Sequence, residues 1–166
     1  DPHPGQKFPR SQVPLQPHLE DVEVARRWSP GSNSSQPAGH FIQEFLIRAA
    51  AEAGMKYAER SVSLKAEIAE YHRILGTLCG QAAGAIGGLG ALKYGRCALD
   101  EVNKAVDLDS KAPLNYVSRG VGNYYLPAAF GGGVELAIKD FQKAIALDAR
   151  AAEAHLWLGV ALRKAN

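Results

Sequence analysis
This sequence is poor in the groups that site chemistry usually needs. Its five histidines, His3, His18, His40, His72 and His155, show neither the HExxH spacing of a zinc helix nor a CxxCH haem attachment. No serine occupies the sharp turn of an activated nucleophile. The carboxylates fall on helix surfaces or in the Leu-Asp turns at Asp109 and Asp148, where they are expected to accept backbone hydrogen bonds. Charge of one sign is missing too: a formal net charge of +2, with Lys and Arg spread along the chain, makes no basic stripe for nucleic acid. No apolar run is long enough to span a membrane. Gly88-Leu89-Gly90 comes nearest to a nucleotide loop, but Lys93 stands where the dinucleotide pattern needs glycine and no strand precedes it. These absences predict no enzyme, no metal and no cofactor.

What is present divides into two parts, residues 1–37 and 38–166. The chain of 166 residues is 46% hydrophobic, enough for one real core. Yet residues 1–37 hold seven of the nine prolines, at positions 2, 4, 9, 14, 17, 30 and 37. Each removes an amide donor and fixes a backbone angle, so an extended arm is expected, except that the proline-free Leu19–Trp28 is open to either a short helix or an extended piece. Its apolar anchors, Phe8, Val13, Leu15, Leu19, Val22, Val24 and Trp28, lie either over the chain's own helices or on a neighbouring molecule. The linker Ser29–Gly39 carries Asn33-Ser34-Ser35, an acceptor pattern for N-linked sugar in an exported chain. A first residue Asp1 without methionine is expected of a mature protein that has lost a signal peptide, hence of an extracellular or periplasmic one.

Residues 38–166 are alanine-rich and periodic. Phe41, Ile42, Phe45, Leu46, Ala49, Ala53, Tyr57 and Ala58 trace one face of one long helix, or of two short ones, ending about Leu64. A helix beginning at Ala69 carries Leu75 and Gly76, and its partner, Ala91–Leu108, carries Ala98, Val102 and Ala105. The glycine-rich stretch between them reads as a loop. Pro113 opens another helix, which Pro127 ends. In the loop that follows, Phe130 is expected to fold back on the core as a plug, and Gly131, Gly132 and Gly133 to make a tight return without a cofactor. From Glu135 to Gly159, Leu136, Ala137, Phe141, Ala144 and Ile145 recur at helical spacing while Lys139, Asp140, Gln142 and Lys143 face away. After Leu147-Asp148 the pattern resumes at Ala152, Ala154, Leu158 and Leu162, so two helices joined by a few residues should pack antiparallel. Cys79 and Cys97 lie about equally far on either side of Gly88, which places them at one level of a helical hairpin. That placement predicts a disulfide between them, with two buried free thiols as the rival reading.

The stretch from Glu135 to Gly159 resembles the tetratricopeptide (TPR) repeats. Leu158 and Gly159 stand at the leucine and small residue of the family's first helix, Ala137 and Ala144 at the small positions of its second, and Phe141 at the aromatic between them. Ala149 replaces the usual proline after Leu-Asp. The resemblance extends over roughly the last three quarters of the chain. It implies an all-α fold, a short right-handed array of stacked antiparallel hairpins amounting to about three and a half repeats, with the proline-rich arm in front. The long second and third loops are similar, more weakly, to the T-component partners of TRAP-type solute transporters.

TPR proteins bind peptides or helices in a groove lined by their first helices. Here the resemblance maps that groove to Arg73, Thr77 and Gly80, then Val117, Val121 and Tyr124, then Leu156, Val160 and Arg163. It assigns His72 and His155 to packing positions. With valine and leucine in place of most clamping cations, the groove is expected to take something apolar. Half of a fourth repeat closes the chain, and its Leu156, Trp157, Val160 and Ala161 form an apolar end that Phe41, Phe45 and Leu46 at the opposite end would complement. Two functions stay open: a non-catalytic scaffold that binds protein, above all copies of itself, end to end in a filament or ring with the arm bridging subunits; or a periplasmic accessory protein holding a small apolar ligand beside a transporter.

Overall fold
The computed structural model describes the backbone of residues 38–86 and 88–166 and, within these, the side chains of 42–86 and 91–166. The arm anchors Phe8, Val13, Leu15, Leu19, Val22, Val24 and Trp28, the acceptor Asn33 and the Phe41 side chain lie outside the described residues. Those residues form six α-helices and no strand: α1 Ala38–Leu64, α2 Ala69–Ile86, α3 Gly88–Leu108, α4 Pro113–Tyr125, α5 Val134–Leu147 and α6 Ala152–Ala165, with a 3-10 turn at Ala128–Phe130. Helix α1 is therefore a single helix. The glycine-rich segment is not the expected loop, because α2 runs to Ile86 and α3 starts at Gly88. Glycine costs about 1 kcal/mol per residue in a helix; close packing along the α2–α3 contact outweighs that here, with Cys79 and Ala82 at 1% and 0% exposure.

The helices pack as consecutive antiparallel pairs, α2 with α3 and α4 with α5, while α6 lies on α5. Ala51, Met55 and Ala58 of α1 meet Leu75, Cys79 and Ala82 of α2 and Ala98 of α3 in one core cluster. Val106, Tyr116, Val117, Ala144 and Ala154 make a second, and Ala137, Ile138, Phe141 and Ala161 a third. Helix α4 touches both α2 and α6, so the three first helices form one layer. Two glycines permit the closest crossings: a Cβ on Gly120 would lie 2.5 Å from the Phe141 ring, and one on Gly76 2.7 Å from Val102. Cys79 and Cys97 are disulfide-bonded, with Sγ atoms 2.01 Å apart and Cα atoms 5.9 Å apart. Met55 Sδ sits 3.4 Å from Cys79 Sγ.

Several faces differ from expectation. On α1 the buried stripe is Ala51, Met55 and Ala58, whereas Ile42, Leu46 and Tyr57 are exposed, because α2 and α3 cover a different side of the helix. On α5 Leu136 is exposed and Ile138 buried. Asp140, expected to face solvent, is 6% exposed because Arg119 and Asn123 reach it from α4. Phe130 is no plug: it is 58% exposed. The glycines after it do make a tight return, Gly131 and Gly133 at φ 87° and 123°, with Gly133 N donating to Asn123 O at 2.9 Å.

Candidate partner-binding surface
Buried polar contacts tie down the first helices α2 and α4, and the register of a helix decides what faces outward. Pro113 opens α4 with its backbone angle already helical. Asn115 Nδ2 then donates to Ala105 O at 3.0 Å and to Asp109 O at 2.9 Å, tying the start of α4 to the end of α3. The Tyr116 hydroxyl donates to Ser110 O. On α2, His72 is buried, with Nδ1 2.6 Å from Glu101 Oε2 and Nε2 2.9 Å from Ala66 O, so it packs and pins α2 to α3. His155 is exposed, its Nε2 3.0 Å from Ala149 O. Asp109 and Asp148 accept from the Lys111 and Arg150 amides, each at 2.9 Å.

The groove positions separate into accessible and inaccessible ones. Arg73 is half-buried, paired with Glu70, and reaches Ser118 Oγ on α4 at 3.5 Å. Its guanidinium is held above its ordinary value chiefly by the hydrogen bond to Glu70, and the same bond lowers Glu70. Thr77 spends its hydroxyl on Arg73 O, 2.9 Å away, and Gly80 is exposed. Val117, at 3% exposure, belongs to the core between α3 and α5 and no partner can reach it, a correction to its groove assignment. Val121 is half-buried between two core clusters. Tyr124 and Val160 are half-buried; Leu156, at 66%, and Arg163 are exposed.

Two further features were not assigned from the sequence. The first is a polar centre between α4 and α5. Arg119 holds Asp140 with Nε at 3.0 Å and Nη2 at 2.6 Å, Asn123 Nδ2 donates to the same carboxylate at 2.9 Å, and Arg119 stacks over Tyr116 at 5.3 Å. The Asp140 hydrogen bond carries Arg119 above its ordinary value. Arg119, Asn123 and Asp140 line a pocket of about 320 Å³ together with Leu99, Asn103, Gly131, Leu136 and Lys139. With Arg119, Lys139 and Asp140 in its lining, it does not suit a purely apolar ligand.

The second feature is an aromatic cluster where α4 meets α6. Tyr124, Tyr125 and Trp157 lie edge to face with centroids 5.1, 5.7 and 6.1 Å apart. Phe141 stacks beneath Trp157 at 6.2 Å, and Lys164 Nζ sits 4.1 Å over the Tyr124 ring while donating to Tyr124 O. Tyr125 is 70% exposed. Family positions pick out Tyr124 but pass over Tyr125; the available signal was the pair of adjacent tyrosines at the end of a helix.

Residues 131–165, which span the glycine return, α5 and α6, match the family model described as TPR repeat. No curated protein matches the chain. The likeness to T-components of TRAP-type transporters finds no support, since the match is to the repeat itself. Among the described residues no helix is long and apolar enough to cross a membrane, and no cluster of His, Cys, Asp and Glu is arranged to hold a metal ion.

Proposed function
We propose that this TPR-like array is a scaffold for binding protein chains, and that its first partners are copies of itself, joined end to end with residues 1–37 bridging neighbours. TPR repeats generally act as non-catalytic interaction modules, and the repeat match supports the coarser part of this proposal. The observation that carries the finer part is the apolar surface left open on both outer helices. Ile42, Leu46 and Ile47 on α1 are 51%, 43% and 42% exposed, and Leu156 and Leu162 on α6 are 66% and 44% exposed. Unlike faces meeting in this way make a heterologous contact, which closes into a ring or runs on as a filament. Covering about 300 Å² at about 25 cal/mol per Å² contributes roughly 7 kcal/mol, comparable to the cost of association. A second tether is then needed for firm assembly, and an arm reaching across the joint supplies it through effective concentration. The Cys79–Cys97 disulfide supports an exported, extracellular or periplasmic setting, where such bonds persist.

Sedimentation velocity on the intact chain tests this. Assemblies larger than a monomer are expected, and the paired substitutions Leu156→Glu and Val160→Lys, or deletion of residues 1–36, should dissolve them into helical monomers. A chain that sediments as a monomer at high concentration refutes self-assembly.

A further inference from the structure
The aromatic cluster at the α4–α6 junction has a chemistry that the packing does not use. Tyr125, 70% exposed, presents its ring at a solvent-reaching surface beside the half-buried Tyr124 and Trp157, and their hydroxyl and indole donors make no hydrogen bond among the described residues. Helix and sheet ligands have already spent most of their carbonyl acceptors. A polyproline II segment has spent none, since it has no internal hydrogen bonds, and its proline rings are flat apolar bodies that lie against aromatic faces. Rings paired with unused donors are thus matched to a proline-rich strand rather than to a helix.

We propose that this cluster docks a proline-rich segment, and that its occupant is the stretch around Val13-Pro14-Leu15-Gln16-Pro17 of a second copy of the chain. The proposal rests on the self-association argued above. With three residues per turn, Pro14 and Pro17 fall on one face of a polyproline II helix. Glu20, Asp21 and Glu23 follow directly, and Lys164, whose Nζ sits over the Tyr124 ring, is the complementary charge at the cluster. The end-to-end joint proposed above selects a second copy. The arm leads into α1, which packs on α2 and α3, whereas the cluster belongs to α4 and α6 at the other end of the array. An end-to-end joint brings the start of α1 in one copy beside α6 of the next.

The test uses the full chain carrying Pro14→Ala and Pro17→Ala, whose own segment then does not compete. A fluorescent peptide of residues 11–23 is titrated in and its anisotropy read, while sedimentation equilibrium of the unaltered chain reports self-association. Binding is expected, weakened about tenfold or more when Tyr125→Ala is added or when the peptide itself carries the two alanines. Tyr125→Ala in the otherwise unaltered chain should weaken self-association by a similar factor with helicity unchanged by circular dichroism; Tyr125→Leu replaces it if helicity falls. Equal binding by the Tyr125 variant, or equal binding of the alanine peptide, overturns the aromatic site even in a chain that self-associates. A monomeric chain with Tyr125-dependent peptide binding overturns the second copy as occupant, and locates the failure in self-association rather than in the site.

Discussion

Replacing Gly120 by alanine tests the account of how neighbouring hairpins cross. In an open helix the change is favourable by about 1 kcal/mol, because alanine surrenders less backbone freedom. At Gly120 the new methyl would meet three atoms of the Phe141 ring at 2.5, 2.9 and 2.9 Å. The ring has no room to retreat: it is 0% exposed and stacked on Trp157. Overpacking of this kind costs about 1–3 kcal/mol, so a net loss of about 1–2 kcal/mol is expected, or several degrees in Tm. Gly159 is the internal control. It occupies the same repeat position on α6, where an added Cβ meets nothing within 4 Å. Gly159→Ala should therefore be stabilising by about 0.5–1 kcal/mol. Urea denaturation followed by far-UV circular dichroism reads both variants, and Phe141→Leu added to Gly120→Ala should recover part of the loss. If Gly120→Ala is as stable as Gly159→Ala, the close crossing does not exist in solution.

Removing the Asp140 carboxylate with Asp140→Ala strands Arg119. A loss of about 2–3 kcal/mol is expected, below the range for a wholly buried pair because the Arg119 side chain keeps 26% exposure; equal urea midpoints would count against the buried pair. Reducing the disulfide, which spans a separation of 18 residues, should lower stability by about 3 kcal/mol, checked by denaturation with and without reductant. The Arg73 hydrogen bond holds Glu70 below its ordinary 4.5. Burial pushes Glu52 up, but hydrogen bonds from Arg48 and Tyr94 carry it below 4.5 as well. Carboxylates lowered on folding contribute stability above the unfolded value and lose it as pH falls through the folded one. Stability should thus fall as pH drops below 4.5, with Glu52→Gln and Glu70→Gln together flattening the decline by no more than about 1 kcal/mol for such exposed pairs.

The repeat itself was legible because its signal is local. Ala137, Phe141 and Ala144 are spaced for one helical face, and all three are 0% exposed. Asp140 was misread because its partner, Arg119, lies 21 residues upstream on another helix. Its position three residues after Ala137 and four before Ala144, on the flank of the buried stripe, was the hint. Hydrophobicity likewise could not say which way Phe130 turns, since a loop residue has no periodic face. The groove suffered the same limit: family spacing places Val117 and Val121 on a surface, but α3 and α5 decide how much of each is left uncovered.

The disulfide has a mechanical consequence. Cys79 and Cys97 join the two antiparallel legs of the α2–α3 hairpin well before its tip. Tension applied along the chain passes from one leg to the other through the sulfur bridge, and the segment beyond carries no load. Fully extended, that segment would add about 60 Å of length; with the bridge closed this length is locked away. In any assembly that is pulled, this hairpin behaves as an inextensible link, and reductant releases its slack.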